Sequence, residues 1–585
     1  MIGLISATAA GAAARDRLAT AWPGRTRVYD GPVREAVERA FAECEQLVCF
    51  LATGATVRLL APLLADKATD PGVVCVDEAG RYAVSLLGGH GGGANSLATE
   101  VGSVLAATPV ITTATDATGI PGLDTLGLPV EGAVATVTRA ILDGAPVTLR
   151  ADAVWPLPPL PPNVRPGGPL PSEQPVSAPA ATSGDSAARL LVTDRTVPLG
   201  PTDVALRPPS LAVGVGASRG AGVDEVYGLV LDVLRDAGLS ALSVAELATV
   251  DAKADEPGIV GAAAAFGVPL RTYPADVLAA IVVPNPSDAP LAAVGTPSVA
   301  EAAALAAGRG GELLVPKRKS SPAGRPAMAT CAVVRRAPRG RLAVVGLGPG
   351  ARDLLTPRAT AELRRASVLV GLDQYVDQIR DLLRPGTRVL ESGLGREEER
   401  ARTAVTEAQA GHAVALIGSG DAGVYAMASP ALAETADDIE VVGVPGVTAA
   451  LAAAAILGAP LGHDHVSISL SDLHTPWEVI ERRVRAAAEA DIVVTFYNPR
   501  SRGRDWQLPK ALALLAEHRT ATTPVGVVRN ASRPDGTSHL TTLARLDPAT
   551  VDMMTVVTVG NTATREIAGR MVTPRGYRWQ SEGAR

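Results

Sequence analysis

The sequence predicts a multidomain α/β protein, and three observations carry that expectation. Short apolar strand-like runs alternate with helical stretches from the first residues to about Tyr577. At 585 residues the chain exceeds what one hydrophobic core serves and should divide into about three or four domains. Its composition is 47% hydrophobic but only 3% aromatic, rich in the small residues that let helices sit close on a parallel sheet.

Charge and cysteine content exclude several function classes. A net charge of −6 argues against a nucleic-acid partner, which demands a clustered positive surface. Cys44, Cys49, Cys75 and Cys331 show no C-x-x-C spacing and are too few for a disulfide framework, so buried reduced thiols and a cytoplasmic location are expected. No apolar run reaches the ~18 residues a membrane span needs. The N-terminal MIGLISATAAGAAARDRLA lacks a basic leader and turns amphipathic by Arg15, which predicts a first strand running into a helix.

Residues 1–150 form the first block, with IGLISA, QLVCFLA, GVVCVDE, YAVSLL and PVITTA as its strands. Ten prolines between Pro156 and Pro179 follow. They deny the chain helix and ladder hydrogen bonds, so 151–207 is expected to be an extended, semi-rigid connector. A second α/β block occupies 208–337, from LAVGVGASRG to ATCAVVRRA, and the hinge RRAPRGR (335–341) leads into a third block over 341–580. The strands of that block (LAVVGLG, VLVGL, HAVALIGSG, IEVVGVPG, DIVVTFYN, VGVVRN, TVVTVG) are apolar on both faces, as buried parallel strands are.

VVGLGPGARDLLT (344–356) opens the third block with Gly346, Gly348 and Gly350 between a strand and a helix. The spacing approaches the dinucleotide fingerprint, with Ala351 at its last position and Asp373 near the distance of a ribose contact. By itself it is a weak signal, equally compatible with a tight turn that binds nothing. Further loops change the reading: GSGDAGVYAMAS (418–429) places Asp421 between glycines just after a strand, and VVGVPGVTAALAAAAILGAPL (441–461) is a strand, a Gly-Pro-Gly-like turn and an Ala-rich helix. TFYNPRSRGRDWQL (495–508), VVRNASRPDG (527–536) and TVVTVGNTATR (555–565) each place polar residues just after an apolar strand. Ligands of parallel sheets bind at such carboxyl ends.

GLGPGARDLLT, GSGDAGVYAM and VPGVTA together resemble the tetrapyrrole (corrin/porphyrin) methylase family. FYNPRSRGR, VRNASRP, VTVGNTATR and SLSDLHTPWEVIERR resemble its precorrin-3B C17-methyltransferase branch, and the likeness covers roughly 341–580. The resemblance implies two α/β subdomains around a cleft, S-adenosyl-L-methionine as methyl donor, a tetrapyrrole substrate and a homodimer. It assigns Gly348, Pro349, Asp421, Val424, Tyr425 and Thr448 to the cofactor. The sequence departs from many relatives at Gly418-Ser419-Gly420-Asp421-Ala422, where Gly-Asp-Pro is usual. Methyl transfer to an electron-rich ring carbon needs positioning more than a strong base. The coupled ring contraction leaves room for acid/base help from Asp472, His474 or Asp373. Arg500, Arg502, Arg529 and Arg533 are candidates to pair with the substrate's carboxylates. His463 and His465 lack a third ligand, so no protein-held metal is expected.

In the first block, DEAGRYAVSLLGGHGGGANSLATEV (77–101) surrounds His90 with five glycines after a strand. Exposed amide donors and a histidine there suit a carbonyl or carboxylate, with His90 as general acid/base. In the second block, VDAKADEPG sets Lys253 and Glu256 together, while Ser298 and Glu301 have the S-x-x-E spacing of a helix cap. CFLATGATVRLLAP, the His90 stretch and GLDTLG, with VGVGASRG, DAKADEPG, VPNPS, VGTPSVAEAAAL and LLVPKRKS, resemble the two domains of the cobalt-precorrin-5A hydrolase family. That likeness implies opening of a ring-A δ-lactone with release of a two-carbon aldehyde, and it names no catalytic residues. His90, Lys253 and Glu256 are chosen for their chemistry. A non-catalytic corrinoid-binding module is the alternative for this half, and methylation of a different tetrapyrrole carbon is the alternative for the other.

Overall fold

The computed structural model describes all residues except 67–68, 171–186, 436, 502 and 578–585. The chain divides into two compact units, the first drawn mainly from residues up to Pro338 and the second from Arg339 onward. Among the described residues no helix is long and apolar enough to cross a membrane.

Among the described residues the first unit contains three sheets. Its first strand, Ile2–Ser6, runs into the helix Ala9–Ala21 and lies second in a six-stranded sheet. The sheet order is Thr26–Val28, Ile2–Ser6, Gln46–Phe50, Gly72–Val76, Tyr82–Leu87, Thr108–Val110, parallel except where Gly72–Val76 meets Tyr82–Leu87. Its alternating side chains feed a core on each face: Leu4, Val48 and Val74 against the helices Ala9–Ala21 and Ala94–Leu105, and Ile5, Leu47, Cys49 and Cys75 on the other side. The last sheet has the order Leu270–Tyr273, Val244–Val250, Leu211–Ala217, Ala329–Arg335, Glu312–Lys319, with Ala329–Arg335 antiparallel to both neighbours.

Between them lies a sheet that the reading of 151–207 as a connector does not foresee. Its order is Val130–Gly132, Asp203–Leu206, Ala188–Val192, Val147–Ala151, Val164–Pro166. The prolines confine their stretch to a three-residue strand at the sheet edge, where a missing N–H is tolerated. ARLLV and DVAL, free of proline, form inner strands and bury Leu190, Leu191, Val192, Val204 and Leu206. Residues 171–186 of the expected connector lie outside the described residues.

Among its described residues the second unit holds two five-stranded sheets and a small three-stranded one. The first is all parallel, in the order Arg388–Ser392, Val368–Leu372, Ala413–Gly418, Arg341–Gly346, Glu440–Val444. The second, His465–Ser469, Val493–Tyr497, Thr555–Val559, Pro524–Arg529, Thr537–Thr542, is parallel only at its first pair. The expectation of parallel strands throughout therefore fails in this half. The reason is that helices cover both of its faces, Trp477–Glu489 and Gln507–Ala516 on one and Ala449–Leu457 on the other. Two-sided burial makes a strand apolar whichever way its neighbour runs.

Candidate functional site

In the first sheet of the second unit, Arg341–Gly346 lies between Ala413–Gly418 and Glu440–Val444. The loops leaving the carboxyl ends of these three strands therefore meet. They meet through backbone. Gly348 N–H donates to Gly420 O at 3.0 Å and Gly420 N–H returns to Gly348 O at 2.7 Å. A Cβ on Gly346 would stand 2.7 Å from Gly420 O and 2.8 Å from Gly446 N, and one on Gly446 only 2.2 Å from Gly420 O. Gly348 and Gly420 also take positive φ values, 75° and 68°, which side chains oppose. The carboxylate of Asp421 accepts Gly423 N–H at 2.8 Å and Gly446 N–H at 3.0 Å, so it clips the second and third loops together.

Tyr425 and Thr448 border this junction. Tyr425 is a non-glycine residue at φ 52°, 54% exposed, and its hydroxyl donates to Ser467 O at 2.7 Å. Its ring lies 5.2 Å from that of Tyr497. Burial is the main reason that the Tyr425 phenol is pushed above its usual range. Thr448 Oγ1 lies 2.5 Å from the Tyr497 hydroxyl. Val424 is half-buried, its amide donating to Asp421 O at 3.2 Å, and Pro349 O accepts Arg533 Nε at 3.1 Å. Gly348, Pro349, Asp421, Val424, Tyr425 and Thr448 thus stand on the three adjoining loops. Asp373, the acidic residue of the dinucleotide reading, instead accepts the amide of its neighbour Gln374 at 2.6 Å at a helix start.

The candidate substrate residues are engaged locally. Arg500 donates to Ala549 O at 2.7 Å, and Arg529 pairs with Asp552 at 2.7 Å and faces Asp535 at 3.7 Å. Arg502 lies outside the described residues. Asp472 accepts Gln507 Nε2 at 2.9 Å, and His474 is exposed in the same loop. Sequence reasoning missed the roles of Tyr497, Asp535 and Asp552. Tyr497 stands at a strand end inside FYNPRSRGR, so its position was legible although its partners were not.

The amides of Gly348, Gly420, Gly423 and Gly446 are taken up within this junction. What it presents to a ligand is therefore the exposed Tyr425 ring, the half-buried Val424 and the remaining backbone edges of the loops, which fits a nucleoside-like ligand. The glycines that a Cβ would force apart are the observation behind that fit.

In the first unit the glycine loop around His90 closes on itself. Gly93, Ala94 and Asn95 N–H donate to His90, Gly88 and Gly89 carbonyls at 2.9, 3.1 and 2.9 Å. These amides are therefore not the open donors the sequence reading expects, because the loop must also pack on the next strand: a Cβ on Gly72 would meet Gly92 O at 2.2 Å. His90 Nε2 lies 2.7 Å from Thr115 Oγ1. Nearby, Ser85 Oγ donates to Asn95 Oδ1 at 2.7 Å and Asn95 Nδ2 to Thr113 Oγ1 at 3.0 Å. On the unit's last sheet, Lys253 Nζ lies 3.7 Å from the Glu256 carboxylate, which accepts Gly220 N–H at 2.7 Å. The two are brought together at the carboxyl end of Val244–Val250, beside that of its parallel neighbour Leu211–Ala217, on a different sheet from His90. Ser298 Oγ accepts Glu301 N–H at 3.3 Å as a cap would. The buried Glu301 carboxylate turns elsewhere, accepting Asn285 N, Asn285 Nδ2 and Lys317 N at 3.0, 2.7 and 2.8 Å.

Three family models match the chain: Tetrapyrrole (Corrin/Porphyrin) Methylases over residues 341–547, Cobalamin synthesis G N-terminal over 35–116, and Cobalamin synthesis G C-terminus over 211–334. The chain is 49% identical over 239 residues to a probable cobalt-factor III C(17)-methyltransferase of Salmonella typhimurium, covering 40% of this chain and 99% of that protein. It is 42% identical over 255 residues to a precorrin-3B C(17)-methyltransferase of Sinorhizobium sp, covering 42% and 99%. It is 41% identical over 248 residues to a cobalt-factor III methyltransferase of Priestia megaterium, covering 41% of this chain but only 45% of that relative's length.

Proposed function

The chain belongs to the tetrapyrrole (corrin/porphyrin) methylase family, joined to two cobalamin-synthesis G domains, and from that premise we propose that its second unit methylates C17 of precorrin-3B or cobalt-precorrin-3 with contraction of the ring. The observation that carries the reading is the backbone-built junction of the Gly346, Gly420 and Gly446 loops. S-adenosyl-L-methionine, when bound, supplies the methyl group. Gly348, Pro349, Asp421, Val424, Tyr425 and Thr448 are the residues that would hold it. Asp421 keeps two of the loops in register, so positioning carries most of the acceleration.

Arg500, Arg529 and Arg533 are proposed to meet the carboxylates of the tetrapyrrole. A guanidinium has five N–H donors, so the carbonyl bonds of Arg500 and Arg533 leave others for a ligand, and a ligand carboxylate would reach Arg529 beside its pairing with Asp552. Asp472 and His474 are the proposed acid/base pair for ring contraction. Labelled S-adenosylmethionine incubated with precorrin-3 intermediates tests the assignment: label at C17 by NMR supports it, and label at another carbon overturns it. We further propose a homodimer formed through this unit, which light scattering coupled to gel filtration tests by mass.

For the first unit we propose cobalt-precorrin-5A hydrolysis, with His90, held by Thr115, and the Lys253–Glu256 pair as the reactive groups. One observation favours a second reading, a corrinoid-binding module: Glu256 is buried and already bonded to Gly220. Aldehyde release by wild type but not by His90→Ala, Lys253→Ala or Glu256→Gln supports catalysis. Release by all three variants removes these residues from the site, and no release by wild type favours the binding module.

A further inference from the structure

The helix Ala449–Leu457 starts at Thr448, whose extended backbone (φ −69°, ψ 151°) is that of an N-cap but whose side chain makes no capping bond. A threonine there ordinarily accepts an amide of the first turn. Here the Ala450 amide donates instead to the Tyr497 hydroxyl, at 2.8 Å. The same hydroxyl lies 2.5 Å from Thr448 Oγ1. A phenol oxygen accepts two hydrogen bonds and donates one, so Tyr497 serves both partners at once.

Tyr497 is well placed to act as a fixed post. It ends the strand Val493–Tyr497, its carbonyl accepts Leu470 N–H at 2.9 Å, and its ring rests against Tyr425. Tyr425 is itself held at a left-handed φ of 52°, a conformation that costs energy for a residue with a Cβ and persists where surrounding contacts demand it. The demand is visible: its hydroxyl reaches Ser467 O on the strand beside that of Tyr497. The two rings and three hydroxyl contacts thus join the second sheet to Tyr425 and to the helix start at Thr448 and Ala450.

We infer that Tyr497 is a positioning residue for the methyl-donor wall: it caps the helix Ala449–Leu457 in place of Thr448, orients the Thr448 hydroxyl, and is braced by Tyr425. The inference rests on reading that wall as the S-adenosylmethionine site, and it adds a residue from a different strand that acts through Thr448 and Tyr425.

Calorimetric titration of the full chain with S-adenosylhomocysteine tests it. Thr448→Val weakens binding about three- to tenfold, the effect of losing one hydrogen bond, and Tyr497→Phe, which removes the bonds to both Thr448 and Ala450, weakens it at least as much. The double variant is no weaker than the worse single one, because both remove the same link. Thr448→Ser binds more tightly than Thr448→Val, and Tyr497→Phe raises the KM for the methyl donor more than it lowers kcat. If Tyr497→Phe fails to fold, Thr448→Val reads the same link with the tyrosine in place. Wild-type affinity in both single variants overturns the inference alone. No binding by the wild-type chain overturns the methyl-donor reading, and the inference with it.

Discussion

The carboxylate of Asp421 accepts the amide of Gly446, 25 residues downstream, at 3.0 Å while it accepts Gly423 at 2.8 Å. One side chain therefore sets the spacing of two loops separated in the chain by the helix Ala428–Glu434 and the strand Glu440–Val444. Replacing it by alanine leaves two amides without their acceptor, at a cost of about 1–3 kcal/mol. Asp421→Ala is expected to raise the KM for S-adenosylmethionine about tenfold or more, with Asp421→Asn intermediate. Steady-state kinetics with the methyl donor varied checks the order.

Gly446→Ala tests the backbone junction from the other side. The added Cβ would stand 2.2 Å from Gly420 O and 2.8 Å from Gly346 C, and neither atom can yield without moving its loop. A loss of about 3 kcal/mol is expected, with S-adenosylhomocysteine binding abolished. Gly443→Ala, where a Cβ meets nothing within 4 Å, is the control and should melt and bind like wild type.

Asp203 provides a pH-dependent test in the middle sheet of the first unit. Burial pushes its carboxyl up, but the Arg189 guanidinium and the Gly200 amide outweigh that and hold it below the usual range. A carboxyl whose folded pKa lies below its unfolded one stabilises fully above the unfolded value, about 3.9, and loses that contribution as pH falls through the folded value. Asp203→Asn should therefore melt lower than wild type at pH 7. The gap should narrow as pH falls below about 3.9. Melting curves across pH 3–7 decide it.

The thiols should be silent in the native protein. Burial pushes Cys49 and Cys75 up and Cys331 up to about 12, and Cys44 is buried beside the Tyr29 hydroxyl at 3.3 Å. Thiolate is the reactive form, so an aromatic disulfide reagent at pH 8 should label none of the four in the native chain and all four after denaturation. Rapid labelling of native protein would contradict the core described here.

Much of the fold was legible because its signals are local. LAVVGLGPG, GSGDAG and VVGVPG each record a strand, a turn that only glycine permits and a helix start within a dozen residues. Their convergence follows from strand order in a parallel sheet. The arginines were legible as a group but not as partners. Arg529 looks like a free cation in VVRNASRP, and its pairing with Asp552, 23 residues downstream, leaves no local trace. The same holds for ARLLV and DVAL, which follow a proline-rich stretch yet form inner strands of a sheet.

The α/β class and the glycine loops were legible in the chain of residues alone, because backbone permissiveness and apolar periodicity are written in adjacent residues, and the motifs in those loops carried the resemblance to the family. Tertiary structure alone decided which strands of the second sheet run antiparallel, which carboxylates neutralise which arginines, and that Tyr497 rather than Thr448 caps the helix Ala449–Leu457. Each of these is a pairing between segments some 20 to 60 residues apart. A hydrogen bond or an ion pair depends on distance in space, and no local pattern specifies which of several chemically equivalent partners will stand within 3 Å.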